Sequence, residues 1–284
     1  MRQQTTPAGV EGAVWMYPIE LKEKVALITG GTRGIGLGSA LALGQAGVRC
    51  VLTYRWGSAD ESELLAKFDA LGAPRPMLVA ADVANDEDIA ALMDAIAAEH
   101  EGVDIFISNV AFAARTPSLS DYKKRSFYKS LDYSTWPLVS HVQAIFERFG
   151  RYPGHVLAIS SDGADRSYPA YDFVAASKSV LEVFARYMGS HLGEYGTKVN
   201  VLRFGMVATE SFEAMFGESF WEFLRGEGIA REDLLSPEEC GKAVLAMCSG
   251  LFDAMQSQVI TLDRGMAFED NLMRRFERWK GAQG

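Results

Sequence analysis

Residues 167–178 read SYPAYDFVAASK, and within them a phenol, Tyr171, stands seven positions before an amine, Lys178. A phenol can donate a hydrogen bond to a substrate oxygen on which charge develops, and an ammonium nearby favours negative charge on the phenol oxygen. Seven residues are close to two helical turns, so both side chains would share one face of a helix. Val174 shares that face and lies about 4.5 Å nearer the lysine, but it has no proton to give. The spacing therefore fixes where a substrate oxygen must sit. Ser161, ten residues before Tyr171, offers a second hydrogen bond to substrate, or simply caps the end of a strand. Tyr168 is a rival phenol; Pro169 suits a first helical turn, which would leave Tyr168 just outside the helix.

A second chemical signal comes earlier, in TGGTRGIG at residues 29–36. Gly30, Gly34 and Gly36, with Thr32, Arg33 and Ile35 between them, permit a tight turn and close backbone approach to a pyrophosphate at a helix N-terminus. Glycine-rich turns also occur as plain loops, but this one follows the first strand candidate and precedes a helix, which points to a dinucleotide. Sites that use NAD usually place an acidic residue at the end of the second strand, on the ribose hydroxyls. Here LTYRWGS places Arg55 near that point, and Arg33 lies inside the glycine turn. Two guanidiniums can grip a 2′-phosphate in bidentate fashion, so NADPH is expected over NADH; the alternative is two solvated arginines. With a reduced dinucleotide in place, the tyrosine spacing gains meaning. A ketone takes hydride on the carbon that bears its oxygen. An enoyl thioester takes it at the β-carbon, and charge develops on a more distant oxygen. The displaced phenol suits conjugate reduction.

The elements that must position these groups are seven apolar runs: KVALITG, RCVLTYR, PMLVAADV, VDIFISN, GHVLAISS, KVNVLRFG and SQVITLDRG. Nearly continuous apolar runs suit parallel strands covered on both faces, and the segments between them carry helical periodicity. The expected fold is α/β, a Rossmann-type doubly wound parallel sheet of seven strands in a single domain over residues 21–267. Residues 1–20 read as an N-terminal arm and 268–284 as a C-terminal tail. The formal charge of −9 argues against nucleic acid or an anionic membrane as partner. Cys50, Cys240 and Cys248 have no CxxC or His-paired spacing, which suggests free thiols in a reducing compartment and no metal site. With no signal-peptide core and no run of eighteen apolar residues, a soluble cytoplasmic protein is expected.

Taken together, residues 22–266 resemble the short-chain dehydrogenase/reductase family. The resemblance rests on TGGTRGIG, on ADV with Asp82 and Val83, and on SNVA with Asn109. AISS and FGMVAT, with Val207 and Thr209, complete it. It implies an adenine pocket at Asp82 and Val83 and a nicotinamide carboxamide site at Val207 and Thr209. Within the family, GADRSYPAYDFVAASKSVLEVFARYM is similar to the enoyl-acyl carrier protein reductases, whose signature is tyrosine, six residues, lysine. That likeness implies reduction of an enoyl thioester carried by acyl carrier protein or CoA, in fatty-acid or specialised acyl metabolism. Tyr171 would stabilise the enolate and Lys178 would bind the nicotinamide ribose. It also implies a homo-oligomer, a tetramer paired through the helix bearing VLEVFARYM. Asp132 falls near the place where many relatives carry a catalytic asparagine. Residues 209–235 correspond to the substrate lid, whose Phe212, Met215, Phe216, Phe220, Trp221 and Phe223 line an acyl pocket or serve as ordinary core. Two other readings stay open: a carbonyl reductase or alcohol dehydrogenase of the same family, and a catalytically silent cofactor-sensing protein. The retained Tyr171 and Lys178 argue against the second.

Overall fold

The computed structural model describes residues 19–55, 60–210, 212–213 and 217–269, together with Met273 and Lys280. Most of the expected N-terminal arm and C-terminal tail, and Met215 and Phe216 of the expected lid, lie outside the described residues. All seven apolar runs form strands: β1 (Val25–Ile28), β2 (Arg49–Tyr54), β3 (Met77–Ala80), β4 (Ile105–Ser108), β5 (His155–Ser161), β6 (Lys198–Phe204) and β7 (Val259–Leu262). They build one parallel sheet in the order β3-β2-β1-β4-β5-β6-β7.

Successive side chains of a strand point to opposite faces, and here both faces are covered. Ala26 and Ile28 of β1 join a core with Ala40 and Leu43 of α1 (Gly34–Gln45) and Leu64 and Phe68 of α2 (Glu61–Ala70). Val25 and Leu27 face the other way, against α3 (Asp86–Glu99), and that second core continues through α5 (Trp136–Phe149) and α6 (Asp172–Leu192). This two-sided burial is why the strands lack polar alternation.

Between α3 and α5 comes α4 (Lys124–Ser134), which ends at Thr135, φ −121° and ψ −57°. Pro137 has no N–H to continue the α4 ladder, so it starts a new helix. The expected lid contains α7 (Glu218–Gly226), and SPEE starts α8 (Pro237–Cys248) through a Ser236–Glu239 capping box, as expected. Strand order reverses between β1 and β4. In open α/β sheets, ligands bind outside the carboxyl ends of the strands at such a reversal. The three cysteines are buried and unbonded to one another, and burial pushes the Cys50 and Cys240 thiols up to about 12. No helix among the described residues is long and apolar enough to cross a membrane.

Candidate active site

A cavity of about 370 Å³ opens at that reversal. One wall is the glycine turn, with Gly30, Arg33, Gly34 and Ile35; the other is Ser161, Tyr171, Val174 and Lys178; Asn109, Val207 and Thr209 also line it. The turn is built for close approach: a Cβ on Gly36 would come within 2.2 Å of the Gly30 carbonyl oxygen. Asn109 Nδ2 pins the turn by donating to the carbonyls of Thr29 at 3.0 Å and Gly30 at 3.2 Å. Exposed Arg33 is the residue just before α1, so the first amides of that helix stand at the cavity. Open backbone, unpaired helix amides and a guanidinium suit a pyrophosphate.

The second wall departs from the sequence reading in one respect. Tyr171 is not inside a helix: α6 begins at Asp172, and Tyr171 is its N-terminal flanking residue, φ −106° and ψ 5°. The cause is non-local. Ala170 takes a left-handed φ of 62°, and its carbonyl accepts from Thr116 N at 3.1 Å. Asp172 is fastened to the same strap by Thr116 Oγ1 at 2.9 Å and Tyr122 Oη at 2.8 Å. An αL alanine costs about 1–3 kcal/mol, a strain that persists only where surroundings impose it. Pro169 likewise lies before the helix, so the expected first-turn role for it does not hold. Tyr168 is outside the helix, as expected.

Tyr171 still reaches the cavity. Its ring lies on Gly163, where a Cβ would meet ring carbon Cε1 at 2.6 Å. Its Oη donates to Ser161 Oγ at 3.3 Å, and Ser161 Oγ also accepts from Gly163 N at 3.2 Å. Ser161 thus caps the turn that follows β5 and at the same time holds the Tyr171 hydroxyl. Burial raises the Tyr171 phenol above its ordinary value, offset by the Ser161 hydrogen bond. Lys178 is buried and donates from Nζ to the Ile159 carbonyl at 2.7 Å. Burial lowers its ammonium to about 8, against the opposing pull of the Glu182 carboxylate. Glu182 is buried too, and is held by Ser160 Oγ at 2.6 Å and by Arg203 Nε at 3.0 Å and Nη2 at 2.6 Å.

Other expected residues sit elsewhere. Thr32, Gly36, Val83, Asp82 and Arg55 do not line the cavity. Arg55 does not stand alone as a phosphate hook: its Nη1 is 2.5 Å from Asp82 Oδ2, and it donates to Tyr133 Oη, which itself donates to Asp82 at 3.1 Å. Asp132, near the place where many relatives carry a catalytic asparagine, is exposed on α4 and absent from the cavity wall. Of the lid aromatics, Phe212 reaches the cavity; Phe220 and Trp221 pack against Phe212 at 5.4 and 5.5 Å between centroids, and Phe223 is exposed. The sequence reading missed Asp162, which is buried on the cavity wall and accepts from Tyr168 Oη at 2.7 Å. An acid directly after Ser161 and six residues before a phenol was the available signal.

A family model described as enoyl-(acyl carrier protein) reductase matches residues 30–267. The chain belongs to the short-chain dehydrogenase/reductase family, close to its enoyl reductases. It is therefore an NAD(P)-dependent oxidoreductase. The 1-cyclohexenylcarbonyl-CoA reductase of Streptomyces collinus is 30% identical over 195 residues, 69% of each chain. The tetrahydroxynaphthalene reductase PfmaG of Pestalotiopsis fici is 27% identical over 264 residues, covering 85% of this chain and 91% of that one. Among solved structures, the L-sorbose reductase of Gluconobacter frateurii, complexed with NADPH and L-sorbose, shares the short-chain dehydrogenase/reductase fold. Its TM-score is 0.76 at 21% identity, over 87% of this chain and 98% of that one.

Proposed function

We propose that the protein reduces the C=C bond of an enoyl thioester, carried by CoA or acyl carrier protein, with NADPH. One observation carries this reading. Of the two phenols on the cavity wall, Tyr171 is the one paired with Ser161, at 3.3 Å, while Tyr168 donates to Asp162 and buried Val174 occupies the wall one turn along. Hydride is the chemistry that the reduced dinucleotide supplies when bound. Gly30, Gly34, Asn109 and the first turn of α1 hold its pyrophosphate, and Lys178 holds its ribose. The Tyr171 and Ser161 hydroxyls hydrogen-bond the thioester oxygen, on which charge develops as the β-carbon is reduced. Val174 presents only apolar surface where a phenol would otherwise meet a reacting carbonyl. The name of the Streptomyces relative, reductase of a conjugated CoA thioester, supports the same reading. The test is NADPH oxidation with crotonyl and acetoacetyl thioesters side by side. Turnover confined to the ketone would replace this reading by that of a carbonyl reductase.

Lys178 links the reading to pH. The lysine binds ribose hydroxyls best as a cation, and its pKa of about 8 means the charge is lost as pH rises through that value. The kcat/KM for NADPH is expected to fall above pH about 8. Tyr171, raised above its ordinary value, stays protonated there. Lys178→Arg should push the alkaline limb out of range, and a limb that stays in place in that variant would assign it to another group.

A homo-oligomer paired through α6 belongs to the same proposal. In VLEVFARYM, Leu181 and Ala185 are buried, but Val183 is 44% and Tyr187 67% exposed, which leaves an apolar face for a second copy. Light scattering at micromolar concentration is expected to give a multiple of the 31.1 kDa chain. A monomer would refute it.

A further inference from the structure

The Asp162–Tyr168 pair has no part in the chemistry above, yet it occupies the cavity wall beside Ser161 and Tyr171. The Tyr168 and Tyr171 rings meet edge to face at 5.9 Å, so the pair borders the place where the acyl group must lie. Asp162 is 4% exposed and accepts the Tyr168 proton at 2.7 Å. Burial raises its carboxyl above the usual range, opposed by Tyr168 and Arg166. A plain alkyl chain packed here would cover the remaining open edge of a carboxylate and a phenol and return no hydrogen bond.

We propose that Asp162 and Tyr168 are specificity-determining residues that select an enoyl thioester whose acyl part carries a hydroxyl group near the double bond. The inference rests on the enoyl thioester reading and names the substrate class within it. An ionised carboxylate only accepts hydrogen bonds, so its match is a donor. Tyr168 has already committed its proton to Asp162 and has Arg166 beside its oxygen, so the carboxylate is the acceptor for the donor. A hydroxyl donates to the carboxylate and adds no charge. An ammonium suits the site less well, because Arg166 Nη1 already lies 3.8 Å from the same carboxylate oxygen. Pairing a buried polar group with its match discriminates strongly against the analogue that lacks it.

The test compares crotonyl-CoA with 4-hydroxycrotonyl-CoA in the parent protein, Asp162→Leu, Asp162→Asn and Tyr168→Phe. The readout is the ratio of the two kcat/KM values, which a partial loss of folded protein does not alter. In the parent the hydroxylated thioester is expected to be favoured by about tenfold or more, as for a hydrogen bond to a charged group. Asp162→Leu should bring the ratio near one, with Asp162→Asn and Tyr168→Phe between. A parent ratio near one, or a ratio that Asp162→Leu leaves unchanged, overturns the proposal. Titration of the NADP complex with butyryl-CoA and 4-hydroxybutyryl-CoA, followed by tryptophan fluorescence, reads the same preference without turnover. If neither enoyl thioester is reduced, the enoyl reading fails, and this binding ratio still decides the role of Asp162: a preference for the hydroxylated ligand that Asp162→Leu abolishes upholds it, and equal binding overturns it.

Discussion

Tyr171→Phe is expected to lower kcat on an enoyl thioester by about a hundredfold or more, the usual loss when one donor to a developing oxyanion is removed. The substitution deletes only the hydroxyl that donates to Ser161, and the ring keeps its seat on Gly163. The fold should therefore survive, and NADPH binding should stay nearly intact, because Lys178 and the glycine turn are untouched. Tyr168→Phe should cost far less on an unsubstituted enoyl thioester, since the Tyr168 proton is already engaged by Asp162. Val174→Tyr puts a phenol on the cavity wall nearer Lys178, where it should block the acyl chain or shift activity toward ketones. Wild-type turnover in Tyr171→Phe, on a thioester the parent reduces, would remove Tyr171 from the mechanism.

The seven strands were legible because two-sided burial demands an apolar side chain at nearly every position, which is a local signal. The glycine turn was legible for a similar reason: Gly36 lies so close to the Gly30 carbonyl that no side chain fits between them. What escaped were features set by residues distant in the chain. Spacing alone put Tyr171 inside a helix, yet the helix start is dictated by Thr116 and Tyr122, which grip Ala170 and Asp172 from about fifty residues away. Arg55 announced a charge at the end of β2, but its carboxylate and phenol partners, Asp82 and Tyr133, come from other elements. Spacing places Asp132 near the position of the family's asparagine, but it cannot tell which way the side chain faces, and Asp132 is exposed on α4, which ends at Thr135 before Pro137. Asp162 carries a local signal, because an acid six residues before Tyr168 is spaced to accept its hydrogen bond.

Arg55→Ala is the second substitution with a large expected effect, and the Arg55–Asp82 ion pair sharpens what it decides. In the proposed NADPH role, Arg55 turns part of its fork to the 2′-phosphate while Asp82 and Tyr133 hold it at the end of β2. Losing a charge-assisted phosphate contact costs about 1.5–3 kcal/mol, or roughly ten- to a hundredfold in affinity. The KM for NADPH should rise by that factor and the KM for NADH by much less. If Arg55 only clamps Asp82, its removal loosens the adenine side for both dinucleotides, and the two KM values should rise together. Arg33→Ala should act in the same selective direction, since Arg33 stands at the cavity just before α1. Equal rises for NADPH and NADH in the Arg55 variant, with no selectivity in the Arg33 variant, would remove both arginines from recognition of the 2′-phosphate.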